Sequence, residues 1–137
     1  MTADPEQLRF YVDESALGIG KTLAAARRDT VHVGHPLIPE CPLGAADIKW
    51  MPIVAARQLV VIGRDKRIRS RPQELLYLKE AGLRVFEIGG KRDLSTWDWL
   101  KRLVRHWDTI EEIVRSRGPG PWLYIVNENA VVELQMP

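Results

Sequence analysis

Cysteine is almost missing from this chain. Among 137 residues there is one, Cys41, so no intrachain disulfide can form and a reducing compartment is expected. Long apolar runs are missing too, and nothing approaches the ~20 residues needed to span a bilayer. The opening "MTADPEQLRF" lacks the basic and apolar regions of a secretory leader. The expectation is a soluble cytoplasmic protein with no membrane partner. Charge of one sign is also in short supply. The formal net charge is +2, so bulk electrostatics selects no partner. There is no internal repeat and no low-complexity tract.

A phosphate-cradling P-loop is excluded as well. "SALGIGKTLAAA" contains Gly20-Lys21-Thr22, but the pattern needs a glycine where Ser15 stands. Leu17 and Ile19 make the stretch apolar, and the spacing predicts a flexible entry into a helix over Lys21–Arg28. His32, His35 and His106 have no metal-ligand spacing. Cys41, between Glu40 and Pro42, has no base beside it in sequence, so no thiol nucleophile is expected.

What is present alternates between strand and helix. "LRFYVD" (Leu8–Asp13) reads as a buried strand ending in an acid, and "TVHV" (Thr30–Val33) as a short strand. Gly34–Ala45 is rich in proline and glycine, hence a loop. Asp47 opens a helix as N-cap or first-turn residue, with Pro52 expected near its start. "LVVIG" (Leu59–Gly63) has the continuous apolar character of a central parallel strand. "PQELLYLKEAG" is a helix with Pro72 in its first turn and Gly82 as its stop. "LRVFEIGG" is a further strand and its exit.

Ser95 caps one long helix with apolar positions Trp99, Leu100, Leu103, Val104, Trp107, Ile110, Ile113 and Val114, a period near 3.6. After "GPGP", the segments "WLYIV" and "AVVEL" predict a hairpin joined at Asn127-Glu128-Asn129. The pattern predicts an α/β sandwich around a mostly parallel sheet. It is expected as one domain over 1–137, with a core about 8–117 and a C-terminal hairpin at 121–135.

In open α/β sheets, sites gather beyond the carboxyl ends of the strands. Asp13 ends the first strand, Asp65 follows "LVVIG", and Asp47 begins the helix leading into that strand. Two carboxylates about 4 Å apart repel by roughly 4 kcal/mol at an intermediate effective dielectric. Such a group therefore calls for protonation or a cation, and hard oxygen donors suit Mg²⁺ or Mn²⁺. Each acid also has a plain structural role open to it: Asp47 as a helix cap, Asp65 as a turn residue. Asp13 needs a partner if it is buried.

"FYVDES" and then "GAADIKWMPIVAARQLVVIGRDKRIRSRPQE" resemble the compact PIN-like domains found among VapC-type toxins. The similarity covers most of Arg9–Glu87 and is most specific over Asp47–Glu74. It implies a three-layer α/β/α fold and a Mg²⁺- or Mn²⁺-dependent ribonuclease held inactive by a cognate antitoxin protein, with a homodimer as a further possibility. It implies that Asp13, Asp47 and Asp65 hold the metal. For a fourth acid, Glu14 is preferred over Glu74 and Glu40, although in a strand neighbouring side chains point to opposite faces.

Arg64, Lys66, Arg67, Arg69 and Arg71 crowd around Asp65. Beside an acid cluster they are expected to contact RNA phosphates. Trp50 either stacks on a base or packs in the core. The alternative function is a non-catalytic PIN-like module that binds RNA or protein.

Overall fold

The computed structural model describes residues 2–64, 71–90 and 94–136. Six strands form one sheet in the order β2-β1-β3-β4-β5-β6. They are β1 (Phe10–Val12), β2 (Thr30–His32), β3 (Val60–Gly63), β4 (Arg84–Ile88), β5 (Trp122–Val126) and β6 (Val131–Glu133). The first five pair in parallel and β6 pairs antiparallel to β5. The mostly parallel α/β plan with a terminal hairpin is therefore the observed one.

The helices are α1 (Leu17–Ala26), α2 (Asp47–Ala56), α3 (Pro72–Ala81), α4 (Thr96–Arg105) and α5 (Trp107–Arg117). They cover both faces, because the central strands carry apolar residues on both sides. Tyr11, Val61 and Val85 pack with residues of α2 and α3. Their neighbours Phe10, Val12, Ile62 and Phe86 pack with residues of α1, α4 and α5. This odd–even division is the period-two geometry of strands, and it separates two apolar layers. No helix among the described residues is long and apolar enough to cross a membrane.

Local details depart from the sequence reading in three places. First, α1 begins at Leu17, so Gly18 and Gly20 lie inside the helix and do not form a flexible entry. The reason is steric. A Cβ on Gly20 would stand 2.7 Å from the Cβ of His32 and 3.0 Å from that of Val12, so the helix rests almost directly on β1 and β2. Second, Pro52 lies inside α2, not at its start. Third, the long helix is two. Ser95 caps α4 by accepting from the Asp98 N–H, but the chain turns at His106, whose Nε2 lies 3.0 Å from the carbonyl oxygen of Glu128. The turn brings Trp107 onto Phe10, ring centroids 5.0 Å apart. Val104 is left exposed, against the apolar face expected of an unbroken helix. Gly82 stops α3 with φ 69°, the left-handed conformation glycine adopts without strain.

At the amino edge of the sheet a four-residue ion network joins strand starts to α5. Arg9 meets Asp29 at 3.1 Å and Glu111 at 2.6 Å, and Arg27 meets Asp29 at 2.7 Å. Burial pushes Asp29 up, but hydrogen bonds from Arg27 and Thr30 and the charges of Arg27 and Arg9 leave its carboxyl below the usual range. The hydrogen bond from Arg9 does the same for Glu111, against a smaller opposing effect of burial.

A carboxyl whose folded pKa is depressed contributes stability that is present above its unfolded pKa, and that stability is lost as pH falls through the folded value. Glu111→Gln is therefore expected to lower stability at neutral pH by about 1 kcal/mol. The gap from wild type should close at acid pH, below the ~4 of free carboxyls. Urea melts at the two pH values check this, and an equal gap at both would remove Glu111 from the acid response.

Candidate active site

A cavity of about 250 Å³ opens at the carboxyl edge of the sheet, and Asp13, Glu14 and Asp47 all line it. Three separate pieces of local structure bring them there. Asp13 ends β1 and is 6% exposed. Its backbone N–H continues the ladder to the Ile62 carbonyl at 3.0 Å. Its Oδ1 caps the following 3₁₀ turn, Glu14–Ala16, by accepting the Ser15 N–H at 3.0 Å and the Ser15 hydroxyl. The same hydroxyl oxygen accepts the Arg64 N–H at 3.0 Å. Ser15 thus ties the end of β1 to the end of β3.

Gly63 is what lets the carboxylate lie flat against the sheet. A Cβ there would stand 2.7 Å from Asp13 Oδ2 and 3.0 Å from its Cγ. Position 63 is thus a close-approach glycine.

Asp47 is the first residue of α2, where the helix dipole favours a negative charge. Trp50, one turn on, donates its indole N–H to Asp47 Oδ1 at 2.9 Å. Trp50 itself is buried and packs against Tyr11 with ring centroids 5.4 Å apart. It is thus a core residue that orients an acid, and it presents no free face to a base. Burial pushes the Tyr11 phenol far above its ordinary value, helped by nearby Cys41 and the two acids. Tyr11 is therefore neutral and adds no charge to the cavity wall.

Glu14 reaches the cavity for a reason that strand alternation missed. It lies in the 3₁₀ turn, not in β1, so the opposite-face rule does not apply. Its Oε1 accepts the Gly44 N–H at 2.6 Å, and Gly44 sits at φ 83°, a backbone region open to glycine.

The other two candidates for a fourth acid do not line this cavity. Glu40 pairs with Arg57 at 3.2 Å and Glu74 with Arg71 at 3.7 Å. A further acid escaped the sequence reading altogether. Glu87 in β4 is 2% exposed and pairs in register with Gly63. Alternation with Val85 puts it on the same sheet face as Tyr11. Its signal is a charged residue inside the apolar run "LRVFEIGG".

Asp65 lies outside the described residues, as do Lys66, Arg67 and Arg69. Arg64 and Arg71 flank them. Arg64 leaves the end of β3 with its guanidinium 4.7 Å from the Trp99 ring centroid. Among the described residues, no three of His, Cys, Asp or Glu gather closely enough to hold a metal ion. The cavity does hold three carboxylate side chains, hard oxygen donors of the kind Mg²⁺ and Mn²⁺ accept. His32 and His35 contact each other edge to face at 5.1 Å, and burial lowers the pKa of His35. Cys41 is buried and its thiol is pushed up, first by burial, which fits an inert packing residue.

This arrangement, with acids from the ends of β1 and the start of α2 meeting at the carboxyl edge of a parallel sheet, has a counterpart among known families. No curated protein and no solved structure matches the chain. The family model described as a PIN-like domain matches residues 8–90. That span runs from β1 through β4 and carries Asp13, Glu14, Asp47, Gly63 and Glu87. The chain belongs to the PIN-like domain family.

Proposed function

We propose that this protein is a metal-dependent endoribonuclease, the toxin of a toxin–antitoxin pair of VapC type, restrained by a cognate antitoxin protein. PIN-like domains are in general nucleases. The observation that carries the reading is the shared cavity of Asp13, Glu14 and Asp47, with Asp13 buried and fixed by Ser15. A buried carboxylate sharing a cavity with further acids is costly unless a cation or proton joins them. Asp13 and Asp47, with Asp65, are the residues that would hold Mg²⁺ or Mn²⁺. When bound, such an ion supplies an activated water and offsets charge on a phosphoryl group.

The chain's own groups do the remainder. Ser15 holds the Asp13 carboxylate in one orientation, and Trp50 does this for Asp47. Glu14 adds a third carboxylate at the mouth. Arg64 and Arg71, with Lys66, Arg67 and Arg69 between them in sequence, supply positive charge to phosphates that the acids alone would repel. We take the whole of 1–137 as one domain working in the cytoplasm, as a monomer or homodimer.

The test is incubation of purified, antitoxin-free protein with a broad pool of cellular RNA. Cleavage is expected in Mg²⁺ or Mn²⁺ and should be abolished by chelator. Asp65→Asn should abolish it too, with a thermal melt in chelator close to that of wild type. If neither metal yields cleavage, the non-catalytic module that binds RNA or protein replaces the nuclease. If Asp65→Asn cuts as well as wild type, the activity belongs to another site.

A further inference from the structure

A second concave surface lies on the other face of the same sheet edge. It is a groove of about 400 Å³ lined by Leu94, Asp98, Lys101, Arg102, Arg105 and Glu128. Its position follows from the topology. Asp13, Arg64 and Gly89 directly follow β1, β3 and β4, and Glu128 follows β5 by two residues. All four strands run parallel, so all these residues stand at the carboxyl edge.

A continuous set of contacts leads from the acid cavity to this groove. Ser15 joins Asp13 to the backbone of Arg64. The Arg64 guanidinium lies 4.7 Å from the Trp99 ring centroid, and that of Arg102 lies 5.9 Å from the same centroid. Arg102 in turn donates to the Gly89 carbonyl. From β1 to β4 is two strand spacings, on the order of 10 Å.

Arg64 and Arg102 thus set two guanidinium cations about one ring at the sheet edge. The groove's other cations are available. Lys101 and Arg105 are exposed. Lys101 meets Asp98 at 3.4 Å in an exposed pair, an interaction weak enough for a phosphate to replace. Trp97 is 65% exposed and stands one helical turn before Lys101, on the same side of α4. An exposed indole beside cations is a stacking surface for an unpaired base.

We infer that this groove of α4 is the second half of the nucleic-acid path. It holds single-stranded RNA flanking the scissile bond, with phosphates on Lys101 and Arg105 and a base on Trp97. Arg64 and Arg102 carry the strand over the sheet edge from the acid cavity. The inference rests on the nuclease reading for the position of the scissile bond.

The test is fluorescence anisotropy on end-labelled oligouridines of about 4 and about 12 nucleotides, lengths spanning the usual range of single-strand sites. Chelator keeps the RNA intact. Wild type should bind the longer strand more tightly. In the double variant Lys101→Gln, Arg105→Gln, that advantage should fall to near nothing. The salt slope on the longer strand should drop by about 1.4, at ~0.7 per lost phosphate contact. Trp97→Ala should weaken the longer strand alone, with the slope unchanged. All three positions are exposed, and thermal melts establish that the variants fold. If wild type favours the longer strand and the double variant keeps both the advantage and the slope, the groove is not the path, while the nuclease reading stands. If wild type binds neither strand and cuts no RNA, both readings fall.

Discussion

Asp13→Asn is expected to reduce RNA cleavage by more than about 100-fold, the upper end of what loss of a group merely supporting a metal ligand costs. The substitution is nearly isosteric. An asparagine side-chain oxygen at Oδ1 still accepts the Ser15 N–H and hydroxyl, so the 3₁₀ cap and the junction of β1 with β3 are kept. What is lost is one negative charge in a cavity shared with Glu14 and Asp47.

That loss acts on stability and activity in opposite directions. Without metal, removing one of the three carboxylate charges that line the cavity is not expected to destabilise the fold, so the melt in chelator should hold steady or rise. With Mg²⁺ or Mn²⁺, wild type should gain stability on binding and the variant should gain little. Single-turnover cleavage and paired melts with and without metal check both halves. If cleavage survives within about tenfold while the metal-dependent stabilisation persists, Asp13 is a structural acid whose burial is accounted for by Ser15 and the cap.

The plan of the sheet was legible because its strands are largely apolar runs, most of them next to glycine, proline or an acid. Leu59–Gly63 could be read as central, since both of its faces are apolar. Asp47 could be placed because an acid before an apolar periodic stretch marks a helix start. The break at His106 was not legible. A 3.6-residue period continues through it, and only contact with Glu128 and the docking of Trp107 on Phe10 show that the chain turns there. The start of α1 was hidden for a related reason. Glycines count as breakers by propensity, yet Gly20 is required by the closeness of α1 to His32 and Val12.

Strand-end reasoning selected Asp13 and Asp47, and the structure brings both to one cavity. Glu14 was selected in spite of an alternation rule that its 3₁₀ turn makes irrelevant. The burial of Glu87 beside Gly63 and the role of Gly63 were not legible. Both depend on which residues of β3 and β4 stand in register, and pairing between distant segments is not written in either segment alone.

Gly63→Ala separates geometry from charge at this site, because it changes no ionisable group. The added methyl would meet Asp13 Oδ2 at 2.7 Å and Oδ1 and Cγ at 3.0 Å. These atoms belong to a side chain that can turn, so the conflict is resolved by moving the carboxylate and not the strand. Turning it pulls Oδ1 away from the Ser15 N–H and hydroxyl that hold it.

On the stability side, alanine restricts the unfolded chain, an effect of about 0.4–1 kcal/mol in favour of folding. The two lost Ser15 hydrogen bonds oppose it by about 1 kcal/mol each. The melt is therefore expected to fall by no more than about 2 kcal/mol from wild type. Activity has no such compensation. A displacement of about 1 Å in a reacting constellation costs on the order of 100-fold, and a comparable fall in cleavage is expected. Raising Mn²⁺ should recover part of it, since the carboxylate is displaced but still charged, whereas Asp13→Asn should recover nothing. Cleavage at the wild-type rate in Gly63→Ala, with the fold intact, would show that Asp13 performs its role from a second orientation. The tight packing against β3 would then serve the sheet and not the chemistry.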